Sequence, residues 1–350
     1  MSALSPPSPY PQAKAEAVAG AAGAMVAPVR WPAVVPGSST GFGALREAGP
    51  TVRKAGPISM KRLELFRLAA PKDSGAHRYP GTVTDVLPPA PAPLPTTLAE
   101  ASEAGRTLIM GIINVTPDSF SDGGRWDTTD LAVAHGRQLR AQGADLLDVG
   151  GESTRPGAAR ITPATEQERI IPVVRALAAS GAVVSVDTVH AATAEAAVGA
   201  GAVIVNDVSG GLADPAMHRV VADTGVVYIC QHWRGDPGTM DRLTDYSALG
   251  GVVDGVETEL RERLDELDAA GAGLRQVVID PGLGFAKTHA QSWRLLAATE
   301  RLRVDLGLPV LIGSSRKRFL AAAVPGSAAA DPIARDAATA ATTALAALAG

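Results

Sequence analysis

From Thr107 onward, short aliphatic runs alternate with longer segments rich in Ala, Glu and Arg. The runs are TLIMGIINV (107–115), DLLDVGG (145–151), VVSVDT (183–188), VIVNDVS (203–209), VVYICQH (226–232), VVIDPG (277–282) and PVLIGSS (309–315). Nearly all their positions are apolar, as in parallel strands covered on both faces. Between them lie segments of helical character, among them DLAVAHGRQLRAQGA (130–144), TEQERIIPVVRALAASG (165–181), TAEAAVGAGA (193–202) and ALGGVVDGVETELRERLDELDAAGA (248–272). Repeated βα units predict a parallel sheet with right-handed crossovers. The α/β class follows, and the number of units fits a TIM (β/α)8-type barrel better than an open sheet. Seven strands are present. The final stretch, RDAATAATTALAALAG (335–350), reads as the helix after the seventh, and no eighth run follows it, so the eighth βα unit is expected to be missing.

Each run ends in polar residues. They are Asn114; Glu152, Ser153, Thr154 and Arg155; Asp187; Asn206 and Asp207; Gln231 and His232; Asp280; and Ser315, Arg316 and Lys317. In parallel barrels the carboxyl ends of the strands converge on one mouth, where ligands bind. A single Asp or Asn at such a position also suits a helix N-cap or an Asx turn. Seven polar endings in seven runs favour a shared binding mouth. Glu152, Asp207 and His232 stay open between a structural role, holding a loop, and contact with a ligand.

Composition sharpens the domain boundary. Of the 26 prolines, 16 precede residue 100, in tracts such as SPPSPYPQAKAEAVAGAAGA and LPPAPAPLP. Such tracts bury little and resist regular structure, so residues 1–105 are expected to be a mostly disordered, low-complexity Ala/Pro extension. Within it, SMKRLELFRLA has the pattern of a short amphipathic turn or helix. Residues 106–350 are the expected barrel. The formal net charge of −4 gives no electrostatic case for a nucleic-acid or membrane partner. No run of ~20 apolar residues reads as a membrane span, and the N-terminus lacks the order of a secretory signal. With one cysteine, Cys230, no intrachain disulfide is available, and a reducing cytoplasm is the expected compartment. Cys230 beside His232 does not make a zinc site without a second ligand cluster.

The segments MGIINVTPDSFSDGG, DVGGESTRPGA, VSVDT, VNDVSGG, IDPGLGFAKT and GSSRKRF occur in that order. Together they resemble the signature segments of the dihydropteroate synthase family, from about Arg106 to Gly350. The first two are long and specific; VSVDT or VNDVSGG alone would also suit the related pterin-dependent methyltransferases. The resemblance implies a TIM barrel that condenses 6-hydroxymethyl-7,8-dihydropterin pyrophosphate with 4-aminobenzoate in folate biosynthesis, releasing pyrophosphate. It implies that Asp280 accepts from the pterin's amino and ring N–H groups, and that Asn206 binds another part of the ring. Lys317 would donate to ring acceptors, Asp187 would lie beside the cationic centre, and Phe285 would pack on the substrates. Asn114 would help hold Mg²⁺ with the pyrophosphate, an amide oxygen being a suitable hard ligand. Asp118, Phe120 and Asp122 would belong to a lid, Thr154, Arg155 and Pro156 to a second one. Ser315 would meet the aminobenzoate carboxylate, and Arg316 beside it would be a further substrate-binding residue. Homodimers occur in the family, which keeps that assembly open here.

Three departures stand out. Gln231 occupies the place of the family's usual Met. The 1–105 extension is not part of the common barrel. The family's last strand carries an Arg-x-His motif that binds pyrophosphate, and residue 350 precedes it; the expectation is a truncated chain with open strand edges and reduced activity. Two alternative readings follow: a non-catalytic or impaired pterin-binding paralogue, and a pterin-dependent methyltransferase domain.

Overall fold

The computed structural model describes residues 106–116, 128–152, 160–236, 238–324, 326, 331 and 333–349. The 1–105 extension, both expected lid segments and Asp118, Phe120, Asp122, Thr154, Arg155 and Pro156 lie outside the described residues.

Six parallel strands form one sheet in sequence order. They are β1 (Met110–Asn114), β2 (Leu146–Gly150), β3 (Val184–Asp187), β4 (Ile204–Asp207), β5 (Val227–Gln231) and β6 (Val277–Asp280). Each falls inside one of the aliphatic runs. The seventh run lies beside β6 but exchanges only one bridge with it, Val310 opposite Ile279. Two main-chain bonds hold it: Ile279 N–H to Pro309 O at 2.9 Å and Leu311 N–H to Ile279 O at 2.8 Å. Past Leu311 the chain leaves that ladder, and Ser314 hydrogen-bonds Thr342 at 2.9 Å instead.

Helices alternate with the strands: α1 (Thr128–Ala141), α2 (Pro163–Ala179), α3 (Ala191–Gly199), α4 (Met217–Thr224), α5 (Val252–Ala269), α6 (His289–Ala297), α7 (Thr299–Leu306) and α8 (Asp336–Leu348). Local signals explain their ends. Thr162 caps α2 by accepting from Thr165 N–H, and Pro163 takes the first turn, where its missing N–H costs nothing. Buried Ile170, Val173, Val174 and Leu177 give α2 an apolar stripe at helical spacing. Thr288 and Gln291 form a reciprocal capping box at the start of α6. Among the described residues no helix is long and apolar enough to cross a membrane.

The core divides by strand alternation. Side chains at successive strand positions point to opposite faces. Leu147, Val149, Val184, Val186, Val205, Tyr228, Cys230, Val277 and Ile279 face outward and pack with Leu139, Ile170, Leu177, Leu260 and other helix residues. Met110, Leu146, Ile204, Val227, Ile229, Val278 and Leu311 face inward and form a separate, smaller cluster. A curved sheet with helices outside and its own side chains inside is the barrel-type layering that the βα alternation predicts.

Candidate active site

The same alternation decides what stands at the mouth. Counting from the inward aliphatic residues, the last inward positions are Asn114, Gly150, Asp187, Asn206, Gln231 and Asp280. Register aligns them: Asn114 opposite Gly150, Gly150 opposite Asp187, Asp187 opposite Asn206, and Gln231 opposite Asp280. Asn206, Gln231 and Asp280 are buried, Asp187 is half-buried and Asn114 is exposed. Gly150 leaves room for its neighbour: a Cβ there would sit 3.3 Å from Asp187 Oδ2.

Asp187 is the most perturbed acid in this group. Burial drives its carboxyl well above the ordinary range, and the neighbouring acids Asp148, Glu166, Asp207 and Glu152 push the same way. Asp280 is also raised by burial, but Lys317, the Gly282 N–H and Lys287 oppose the rise. Its Oδ1 accepts from Gly282 N–H at 2.7 Å, which sets the first turn of the loop after β6. Gly282 has φ +66°, and a Cβ there would lie 2.5 Å from His232 O, so this turn requires glycine.

Lys317 leans over that loop. Its ammonium donates to Leu283 O and stands 4.3 Å from the centre of the Phe285 ring. Burial lowers it to about 8, with Asp280 resisting the fall. Half-buried Ser315 lies just upstream in the same chain. Arg316 turns elsewhere: it makes a two-pronged ion pair with Asp336 of α8, at 2.6 and 2.8 Å. Its guanidinium is therefore committed to the helix shell in this structure.

Structure separates the residues left open by the sequence. Asp207 follows Asn206 by one position and so faces outward. It accepts from Ser209 N–H, Ser209 Oγ–H, Gly211 N–H and Tyr228 O–H, all at 2.7–2.8 Å. Glu152 accepts from Ile161 N–H and pairs with Arg160, which also reaches Asp236 at 2.8 Å. His232 bonds through Nε2 to Glu259 at 2.6 Å and through Nδ1 to the Lys287 ammonium at 3.0 Å. The Glu259 carboxylate, held ionised, can only accept, so Nε2 carries the proton toward it and Nδ1 accepts from the lysine. Burial lowers His232 to about 4, consistent with a neutral ring. Glu259 is held at about 2, against its own burial cost, by hydrogen bonds from His232 and Arg234. Gln231 donates to Val208 O at 3.4 Å.

Two residues here were not singled out from the sequence. Asp148 is buried inside the sheet and accepts from the Asn206 amide at 2.9 Å. Period-two counting back from Gly150 would have found it. Lys287 is buried, bonded to Phe285 O at 2.9 Å and to His232. No local pattern marks a lysine in that loop as buried, since its partner His232 is far off in sequence.

Burial holds Lys287 at about 7, against 10.5 for an ordinary lysine. Between those values the unfolded chain carries the proton and the folded one sheds it, so this group makes stability rise with pH. Below about 7 both states are charged, and its burial penalty is felt in full. The stability of wild type minus that of Lys287→Met is therefore expected to climb from pH 7 to 10. Urea denaturation across that range checks it; a flat difference would contradict it.

Comparisons with known proteins now bear on this arrangement. The pterin binding enzyme family matches residues 110–350. Dihydropteroate synthase of Mycobacterium leprae is 50% identical over 246 residues, covering 69% of this chain and 85% of that protein. A solved structure of Xanthomonas albilineans dihydropteroate synthase with 4-aminobenzoic acid is similar at a TM-score of 0.63 and 43% identity, over 71% of this chain and 88% of that one. The Xanthomonas enzyme in complex with 7,8-dihydropteroate gives a TM-score of 0.60 and 40% identity over the same shares.

Proposed function

The chain belongs to the dihydropteroate synthases of the pterin-binding enzyme family, and on that premise we propose that the inward strand ends from Asn114 to Lys317 are its catalytic centre. The reaction is a transfer in folate biosynthesis: the amine of 4-aminobenzoate displaces pyrophosphate from 6-hydroxymethyl-7,8-dihydropterin pyrophosphate. One observation carries the assignment of residues. Acceptors Asp187, Asn206 and Asp280 stand at the carboxyl ends of three strands of one parallel sheet, and the donor Lys317, from the segment after the seventh run, is coupled electrostatically to Asp280 across the loop after β6.

A reduced pterin is flat, with an N–H-rich edge and ring acceptors. Asp280 and Asn206 suit the donor edge, and Lys317 suits the acceptors. At pH 7 Lys317 stays mostly protonated, since its value of about 8 lies above that pH. Phe285, whose ring lies 4.3 Å from the Lys317 ammonium, is proposed to pack against the substrates. As the carbon–oxygen bond to pyrophosphate breaks, positive charge grows on the pterin methylene. Asp187, whose ionisation is opposed by burial and by the neighbouring acids, is favoured as a carboxylate when that charge appears. An interaction that strengthens along the reaction is what lowers a barrier. The arylamine attacks as the neutral base, so no strong general base is needed.

Asn114, inward and exposed at the end of β1, offers an amide oxygen suited to Mg²⁺. That ion, when bound, would neutralise the leaving pyrophosphate. Among the described residues no three His, Cys, Asp or Glu side chains are gathered to hold a metal ion. Asp118, Phe120 and Asp122, with Thr154, Arg155 and Pro156, are proposed to close over the methylene, excluding water that would otherwise trap the cation. The cytoplasm is the proposed compartment, where Cys230, buried in the core, stays a thiol. The test is turnover with both substrates. One pyrophosphate released per dihydropteroate formed supports the proposal; pterin binding with no release contradicts it.

A further inference from the structure

The inward layer beneath the mouth is built from Ile112, Ile204, Ile229, Val278 and Leu311, with two polar exceptions, Asp148 and Ser185. An ionisable group there is expensive, because burial opposes its charged form. Asp148 is only 2% exposed. Its Oδ2 accepts from Asn206 Nδ2 at 2.9 Å, one layer up. Its Oδ1 makes no geometrically good hydrogen bond among the described residues, and the Ser185 hydroxyl on the next strand, which opposes the rise of the Asp148 carboxyl, is its polar neighbour there. Asp187 stands on the next strand, with its charge coupled to that of Asp148. Neither strand ends nor the proposed ligand contacts account for this acid.

The geometry points to Asp148 as a positioning residue that fixes which end of the Asn206 amide faces the pterin. A carboxylate only accepts, so it engages the amide through Nδ2 and leaves the Asn206 carbonyl oxygen for the mouth. The two faces of an amide are nearly equal in shape and opposite in hydrogen-bonding sense. Without a partner of fixed polarity below it, Asn206 could turn its NH₂ toward the ligand. Held as it is, Asn206 joins Asp280 in offering acceptors, and the mouth selects a heterocycle edge carrying N–H donors. A site built to accept from such an edge rejects one that lacks the donors, since buried polar groups are then left unpaired. This inference rests on the reading of the mouth as the pterin site.

The test exchanges the two side chains. Affinity for pterin pyrophosphate is measured by calorimetry at pH 8, above the value of about 6 to which burial pushes Asp148. In Asp148→Asn the partner below can both donate and accept, so Asn206 is free to flip. Pterin affinity should fall about tenfold or more, the scale of one hydrogen bond to a charged group, while KM for aminobenzoate holds. Asn206→Asp alone sets two carboxylates face to face and should also weaken binding. The double variant Asp148→Asn/Asn206→Asp restores a donor below and an acceptor above, and should recover most of the wild-type affinity. A generic structural role would not produce that recovery. Folded Asp148→Asn protein that binds like wild type, or a double variant no better than either single one, overturns the inference. Should a single variant fail to fold, the double variant, which keeps the hydrogen bond and the charge count, decides by itself: near-wild-type affinity supports the inference and lost affinity overturns it. Failure of the wild type to bind pterin pyrophosphate would instead bring down the functional reading on which this one stands.

Discussion

Asp280→Asn is expected to weaken pterin binding by about ten- to a hundredfold, the range of a hydrogen bond to a charged group, and to move the alkaline limb of activity to lower pH. The amide oxygen can still accept from Gly282 N–H, so the turn after β6 is kept. What is lost is the negative charge. Lys317 sits at about 8 because burial lowers it and Asp280 holds it up. Remove that support and the ammonium sheds its proton at a lower pH. Activity that needs a protonated Lys317 then declines at a pH where the wild type is still fully active. The profile of kcat/KM against pH checks the sign, because it reports groups in the free enzyme. An unchanged alkaline limb together with unchanged affinity would contradict this role for Asp280.

Asp207→Ala should do the opposite: a large loss of stability with pterin affinity kept in the folded protein. Asp207 faces the helices and holds four donors, among them the fully buried Tyr228 hydroxyl. Truncation leaves buried donors unpaired, at about 1–3 kcal/mol for each group that water cannot reach. With some relaxation of the loop at 208–211, the total is on the order of 3–5 kcal/mol. For a domain of this size that lowers Tm by roughly 10 °C. Thermal unfolding followed by circular dichroism, paired with calorimetry on the folded variant, separates the two effects. A variant as stable as the wild type that no longer binds pterin would move Asp207 from the framework into the site.

Asn206 and Asp207 illustrate what the sequence could and could not disclose. They are adjacent, equally polar and both at the end of a strand, yet one points into the mouth and the other into the helix layer. Both faces of these strands are buried, so polarity alone does not label inside and outside. The order and extent of β1–β6 were legible because each strand is a dense aliphatic run between helical segments. The reduction of the seventh run to a single bridge was not, since PVLIGSS is as apolar as its neighbours. Asp148 was hidden in the middle of such a run. Lys287, His232 and Glu259 form one hydrogen-bonded chain across three elements, and only the folded packing of the β6 loop and α5 on β5 brings them together. Arg316 read as a mouth residue from its neighbours Ser315 and Lys317, but Asp336 of α8 supplies an ion-pair partner that no local pattern announces. The individual roles at the mouth came from the family resemblance; the residues by themselves pointed only to a shared polar rim.

The most direct measurement is a crystal structure of this chain soaked with a non-hydrolysable analogue of pterin pyrophosphate. The pterin ring is predicted to lie within hydrogen-bonding distance of Asn206, Asp280 and Lys317, with its methylene beside Asp187. A ring bound at the opposite end of the sheet, or touching none of these side chains, would contradict the account.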